Sequence, residues 1–90
     1  ILVFTDPMAV KILGVAQDMG LDVPGDVAIA GYDGLSISAV TTPALTTVRQ
    51  PIPDIGRAAA ESLLAQIQDP SRPPSQRILP VELVVRSSSI

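Results

Sequence analysis

The chain has 90 residues, of which 47% are hydrophobic and 17% charged, a composition typical of a globular domain. Its net charge is −3 with six scattered basic residues, which argues against a nucleic-acid-binding face within these residues. There is no Cys and no His, so disulfides, thiolate or imidazole catalysis and the usual zinc sites are excluded. We expect no metal and no cofactor, and no apolar run approaches the roughly 20 residues of a membrane span.

The first predicted elements are a strand and a helix. The apolar run Ile1–Phe4 is typical of the end of a buried strand. Asp6 is a favoured N-cap, and a proline after it fits the first helical turn, so we predict a helix over Pro7–Met19. Gly20 supplies a left-handed end to that helix. The apolar residues expected to face the core are Met8, Ile12, Val15 and Met19.

A second buried strand is predicted after a turn at 21–26. Val27–Ala30 is apolar on both faces, as in a parallel sheet covered by helices, and we expect the strand to break at Gly31–Gly34. A strand, a helix and a strand in this order predict a right-handed βαβ unit.

The second half of the chain predicts a further long helix and a last strand. In chain order we expect a short helix at Leu35–Val40, an extended segment at Thr46–Arg49 and a long helix from Pro53 or Asp54 to about Gln68. The buried stripe expected on the long helix is Ile55, Ala59, Leu63 and Ile67, with Ala58 as a residue that would widen it. After it we expect a Pro-rich loop at Asp69–Gln76, a strand at Ile78–Arg86 interrupted by Pro80, and a tail at Ser87–Ile90. Because the sequence opens at Ile1 in mid-strand, we expect it to be the C-terminal piece of a longer protein.

Asp33 is the strongest candidate for a functional residue. It lies where the second strand is predicted to end, and ligands of open α/β sheets bind beyond the carboxyl ends of strands. Its carboxylate would accept hydrogen bonds from the hydroxyls of a small polar ligand. A turn-forming aspartate in Tyr-Asp-Gly is an equally good interpretation.

Three further residues are predicted at the same crevice. Thr5 and Asp6 end the first strand; a ligand contact is one role for each, and helix capping is the favoured role of Asp6. Gln50 closes an extended segment before Pro51, which suits a crossover between subdomains. Its side chain would contact a ligand or hydrogen-bond the backbone.

Catalysis is not favoured by the residues present. Asp6 and Asp33 form a carboxylate pair, but nothing in the sequence separates their acidities for acid and base roles. The serines lack a base that would activate them. The pattern Gly31-x-x-Gly34 has neither the lysine of a phosphate loop nor dinucleotide-binding spacing. We therefore predict that the chain is not an enzyme.

One face of the first helix is a candidate subunit contact. It carries Val10, Leu13 and Gly14, and a small residue such as Gly14 permits close approach of two helices. An ordinary core stripe is an equally good interpretation of this pattern.

Five segments of the chain carry linked motifs: FTDPMA at Phe4–Ala9, GLDVPGDV at Gly20–Val27, GYDG at Gly31–Gly34, PALTTVRQ at Pro43–Gln50 and LPVELVVRSS at Leu79–Ser88. Together they resemble the C-terminal part of LacI/GalR-family transcriptional regulators. That family has, in the same order, (A/T)-N-D-x-M-A opening a helix, G-L-x-V-P-x-D-(V/I), G-(Y/F)-D-(D/G), P-x-L-T-T-(V/I)-x-Q and L-P-x-x-L-V-x-R-x-S. The resemblance spans nearly the whole chain.

The resemblance implies a type I periplasmic-binding-protein-like fold, a parallel sheet flanked by helices, of which the chain holds part. Residues 1–48 would belong to the C-terminal subdomain, 49–52 to a crossover, 53–80 to the N-terminal subdomain, and 81–90 to a return strand and tail. Asp33 would be the ligand-hydroxyl acceptor, with Asp6 and Gln50 at matching positions. Thr5 replaces a ligand-contacting Asn, and Ile52 replaces an aromatic that packs on sugars.

The function implied is effector sensing by a cytoplasmic, homodimeric regulator. A small polar metabolite, a sugar by resemblance, would close the cleft and change operator affinity through a helix-turn-helix headpiece that is not among these residues. The alternative is a periplasmic sugar-binding protein of a transporter, which shares the fold.

Overall fold

The computed structural model describes all 90 residues, which form three helices and three strands. These are α1 (Asp6–Asp18), β1 (Ala30–Asp33), α2 (Ile37–Val40), β2 (Thr46–Arg49), α3 (Ile52–Gln68) and β3 (Glu82–Val84). The predicted α/β class is confirmed. Contacts divide the chain into two units, Ile1–Gln50 with Glu82–Ile90, and Pro51–Val81. None of the helices combines the length and the apolar character needed to cross a membrane.

The first unit contains a mixed sheet in the order β1-β2-β3. β1 and β2 are parallel, and their register places Asp33 opposite Arg49. β3 adds an antiparallel edge, which the parallel sheet expected from the sequence did not include. The predicted first strand is reduced to one parallel bridge between Leu2 and Ala30.

The predicted position of the second strand is wrong by three residues. β1 starts at Ala30 and runs through Gly31 to Asp33, where a break was expected. Ile29 lies outside the ladder because its N–H donates to the carbonyl of Ser88 at 3.0 Å. The strand requires a glycine at position 31, because a Cβ there would collide with the side chain of Asp6. Glycine in a strand often marks such a close approach.

Helix α1 starts one residue earlier than predicted, and its N-cap is Thr5. The Thr5 Oγ1 accepts a hydrogen bond of 3.4 Å from the Met8 N–H, so the prediction of Asp6 as the cap is wrong. Gly20 has a φ of +75°, which confirms the predicted left-handed end.

The face of α1 that packs on the sheet also differs from the prediction. The buried residues of α1 are Asp6, Ala9, Leu13 and Ala16, whereas Met8, Val15 and Met19 are exposed. Both faces are apolar in sequence, and the buried face is the one whose alanines permit close approach of the helix backbone to β1. The remaining core residues are Val3, Val23, Ile29 and Leu45.

The C-terminal segment is part of the first unit's interior, so its prediction as a tail is wrong. Ser88 is fully buried, and its Oγ accepts from the Thr46 N–H at 2.8 Å and donates to the Ile29 carbonyl at 2.6 Å. Arg86 donates to the Ser38 Oγ at 2.8 Å and to the Leu45 carbonyl at 2.9 Å. The segment thus ties β2 to the start of β1.

The second unit consists of α3 and the loop that follows it. Ala58 is the one buried residue of α3, whereas Ile55, Leu63 and Ile67 of the predicted stripe are exposed. A single helix and a loop supply no second apolar layer, so the stripe has nothing to pack against within this unit. The loop begins with Asp69, whose Oδ1 accepts from the Ser71 Oγ at 2.6 Å.

The last strand is shorter than predicted. β3 covers Glu82–Val84, rather than the predicted 78–86. Pro80 lacks an N–H for a sheet ladder, which accounts for the late start.

Candidate functional site

Asp33 is the last residue of β1, so its side chain leaves the sheet at the carboxyl end of the parallel pair. Its Oδ1 accepts a hydrogen bond of 2.7 Å from the Gln50 Nε2, and its carbonyl accepts from the Gln50 N–H at 3.1 Å. The φ of Asp33 is +122°, an unusual value for a residue with a side chain. The fold therefore brings together two residues that the sequence predicted at one crevice.

A cavity of about 510 Å³ lies at this end of the sheet. Its volume is in the range of pockets that hold small organic ligands. Its lining residues come from the segment before α1 and from the carboxyl ends of β1 and β2: Leu2, Val3, Phe4, Thr5, Tyr32, Asp33 and Gln50. All of them belong to the first unit.

The wall of the cavity combines a carboxylate with apolar side chains. Phe4 is 85% and Leu2 78% exposed, so both offer apolar surface to an occupant. Asp33 forms no ion pair, and its Oδ2 takes part in no hydrogen bond within the chain. That oxygen is free to accept a hydrogen bond from a ligand hydroxyl. The lining has no histidine, cysteine or lysine that would serve as a base or nucleophile.

Asp6 does not line the cavity, so its prediction as a ligand contact is corrected. It is fully buried, its Oδ2 accepts from the Leu35 N–H at 2.8 Å, and its Oδ1 accepts from the Thr47 Oγ1 at 2.6 Å. Both oxygens are thus engaged inside the chain. The sequence correctly predicted that Asp6 lies near the end of the first strand. It did not predict that the Asp6 side chain is buried.

The other predicted site residues have different placements. Thr5 lies in the cavity wall and also caps α1. Ile52 opens α3 in the second unit and is 48% exposed, and its contact with a ligand stays a prediction. Of the predicted subunit contacts, Leu13 is a core residue, 3% exposed, which corrects its assignment as a contact. Val10 and Gly14 are half-buried, and their role stays a prediction.

Four lining residues were not identified as site residues from the sequence: Leu2, Val3, Phe4 and Tyr32. Each of them lies within three residues of the end of a predicted strand. The rule that ligands bind beyond the carboxyl ends of strands applies to them as it does to Asp33.

Comparison with known proteins identifies the family. Residues 1–89 match the model of the periplasmic binding protein-like domain. The chain belongs to this family. It is 44% identical over 85 residues to the transcriptional regulator MalR of Streptomyces coelicolor, covering 94% of this chain and 25% of the relative. The chain thus spans about a quarter of the length of this relative.

Solved structures of regulators share the fold over nearly the whole chain. A ribose-bound LacI-family regulator from Enterococcus faecium has a TM-score of 0.86 and 33% identity over 98% of this chain and 34% of that one. The lac repressor dimer bound to operator and the anti-inducer ONPF has a TM-score of 0.87 and 31% identity over 99% of this chain and 31% of that one. The predicted resemblance to LacI/GalR-type regulators is confirmed. A further relative, 39% identical over 85 residues, is the transcriptional repressor PurR of Aliivibrio fischeri, covering 94% of this chain and 25% of the relative.

Proposed function

We propose that the chain is the effector-sensing part of a DNA-binding transcriptional regulator and that Asp33 is the acceptor for the effector's hydroxyls. The observation that carries the proposal is the Asp33 carboxylate at the edge of the cavity, with one oxygen held by Gln50 at 2.7 Å and the other free. A charged acceptor oriented by a neighbouring amide binds hydroxyls more strongly than a neutral one does.

The proposed effector is a small polar metabolite of the sugar class. A sugar has hydroxyls for Asp33 and Gln50 and C–H faces for the apolar wall of Leu2 and Phe4. The ribose bound by the matched Enterococcus faecium regulator supports this class.

The proposed mechanism is a shift between two arrangements of a homodimer in the cytoplasm. The effector favours the arrangement that it binds more tightly, and that arrangement alters the affinity of DNA-binding headpieces for the operator. The matched lac repressor dimer on its operator supports these partners. In this proposal the chain performs no catalysis and needs no cofactor. The names of the matched relatives favour a regulator over a transporter's periplasmic sugar-binding protein.

The test is isothermal titration of the protein at its full natural length with pentoses, hexoses, disaccharides and nucleosides. We expect at least one sugar to bind, and we expect Asp33→Asn to weaken that binding about 10- to 100-fold, the effect of losing a hydrogen bond to a charged group. Asp18→Asn is the control, because Asp18 is exposed on α1 and makes no ion pair or side-chain hydrogen bond. A sugar whose affinity is the same in both variants would place the effector away from Asp33.

A further inference from the structure

Two buried side chains hold the start of the loop that follows Asp33. The Asp6 Oδ2 accepts from the Leu35 N–H at 2.8 Å, and the Thr47 Oγ1 accepts from the Gly34 N–H at 3.3 Å. Thr47 in turn donates to the Asp6 Oδ1 at 2.6 Å. Two consecutive N–H groups directly after Asp33 are therefore fixed by one linked pair of side chains.

Asp6 and Thr47 have no solvent-exposed surface, so neither contacts an occupant of the cavity. A buried carboxylate is costly unless it is fully hydrogen-bonded, and here each of its oxygens has a partner. Gly31 leaves room for this pair, because any side chain at that position would collide with the Asp6 carboxylate. Asp6 and Thr47 thus form a fully hydrogen-bonded polar pair inside the unit.

The backbone of Asp33 requires such support. Its φ of +122° is disfavoured for a residue with a side chain, and a strained conformation persists only where its surroundings hold it. Gly34 follows with a φ of +75°, and a Cβ there would lie 2.6 Å from the Arg49 Cα. The two N–H anchors lie directly after Asp33, and its own carbonyl is held by the Gln50 N–H at 3.1 Å.

We propose that Asp6 and Thr47 are positioning residues that hold the Asp33 backbone and thereby aim its carboxylate at Gln50 and at the effector. This inference rests on the proposed function in so far as an effector binds at Asp33. It assigns Asp6 an indirect role through Asp33, in place of a helix cap or a direct ligand contact.

The test uses Thr47, since replacement of the fully buried Asp6 risks unfolding the protein. In the protein at its full natural length, we would compare Thr47→Val, Thr47→Ser and Thr46→Val, each with Asp33 intact and with Asp33→Ala. Thr46→Val is the matched control, because Thr46 is a buried neighbour whose hydroxyl pairs with Arg86 and not with the loop. Thr47→Ser retains the hydroxyl and is the rescue variant.

The first readout is the NMR signal of the Gln50 side-chain amide, which reports its hydrogen bond to Asp33 without any ligand. We expect Thr47→Val to move this signal towards its position in Asp33→Ala, and Thr47→Ser and Thr46→Val to leave it near that of the unchanged protein. A signal that Thr47→Val leaves in place, or that Thr46→Val moves equally, would overturn the inference.

The second readout is the affinity for D-ribose and for any other sugar that binds. We expect Thr47→Val to weaken binding about tenfold with Asp33 intact and to have less than about a twofold effect with Asp33→Ala, since coupled residues are non-additive. Equal losses in both backgrounds would show a general structural role and overturn the inference. If no sugar binds, the proposed sugar effector fails, and the amide signal alone decides the positioning role.

Discussion

The side-chain amide of Gln50 donates a hydrogen bond of 2.7 Å to the Asp33 carboxylate, and the two residues are 17 positions apart in sequence. The parallel register of β1 and β2 places them together, because Asp33 pairs with Arg49 and Gln50 follows directly. The Gln50 amide thereby orients the Asp33 carboxylate, whose second oxygen has no hydrogen-bond partner within the chain. The proposed effector site depends on this arrangement, in which one carboxylate oxygen is bonded to Gln50 and the other is available to a ligand.

Replacing Gln50 with Glu is expected to weaken effector binding more than replacing it with Ala. The glutamate places a second negative charge beside Asp33, whereas alanine removes only the donor, whose hydrogen bond to a charged group contributes about 1.5–3 kcal/mol. Titration with the best-binding sugar would measure both variants. Gln68→Glu is the control, since Gln68 is exposed and its side chain makes no hydrogen bond. Unchanged affinity in Gln50→Glu would exclude Gln50 from the site.

Replacing Ser88 with Ala is expected to lower the free energy of unfolding by about 1–3 kcal/mol, because it leaves the buried Thr46 N–H and Ile29 carbonyl without their partner. Denaturant unfolding would measure the change. Ser87→Ala is the matched control, because Ser87 is exposed and is expected to change stability by less than about 0.5 kcal/mol. Equal free energies of unfolding in the two variants would show that the hydrogen bonds of Ser88 contribute little to the stability of the protein.

Replacing Gly31 with Ala is expected to destabilise the protein by about 1–3 kcal/mol, the usual cost of overpacking. The added methyl group would meet the Asp6 carboxylate, the Ala9 Cβ and the Leu45 Cδ2. Gly56→Ala is the comparison, because no atom lies within 4 Å of its added methyl group and a helix favours alanine over glycine. Thermal denaturation should show opposite shifts for the two variants. A Gly31→Ala protein as stable as the unchanged one would mean that the interior around Asp6 is loosely packed.

Replacing Gly14 with Glu tests the predicted subunit contact on α1. Nothing lies within 4 Å of a Cβ at Gly14, so the folded subunit accommodates a side chain there. If two copies of α1 meet around a twofold axis, the new charges face each other, and we expect the dimer to weaken at least about tenfold. Sedimentation equilibrium would measure dissociation, with the exposed Ser87→Glu as control. A dimer of unchanged strength would place the interface elsewhere.

The errors in the sequence-based prediction have a common physical origin. Periodicity marks both faces of α1 as apolar, and only the neighbouring strand selects the face with Ala9 and Ala16 over the face with Met8 and Val15. The glycine that predicted a break at position 31 instead allows the close approach of Asp6. Local pattern identifies the elements, but packing determines which residues of each element are inside.

The sequence by itself determined the class of the fold, the order of its main elements, the family and the position of Asp33 at a strand end. These follow from local preferences and motifs that any chain of this pattern carries. The tertiary structure decided that Asp6 turns inward to Thr47 and Leu35, that Ser88 is part of the interior, and that Gln50 orients Asp33. Each of these depends on residues at least 17 positions apart, which strand pairing or the packing of α1 and the C-terminal segment brings into contact.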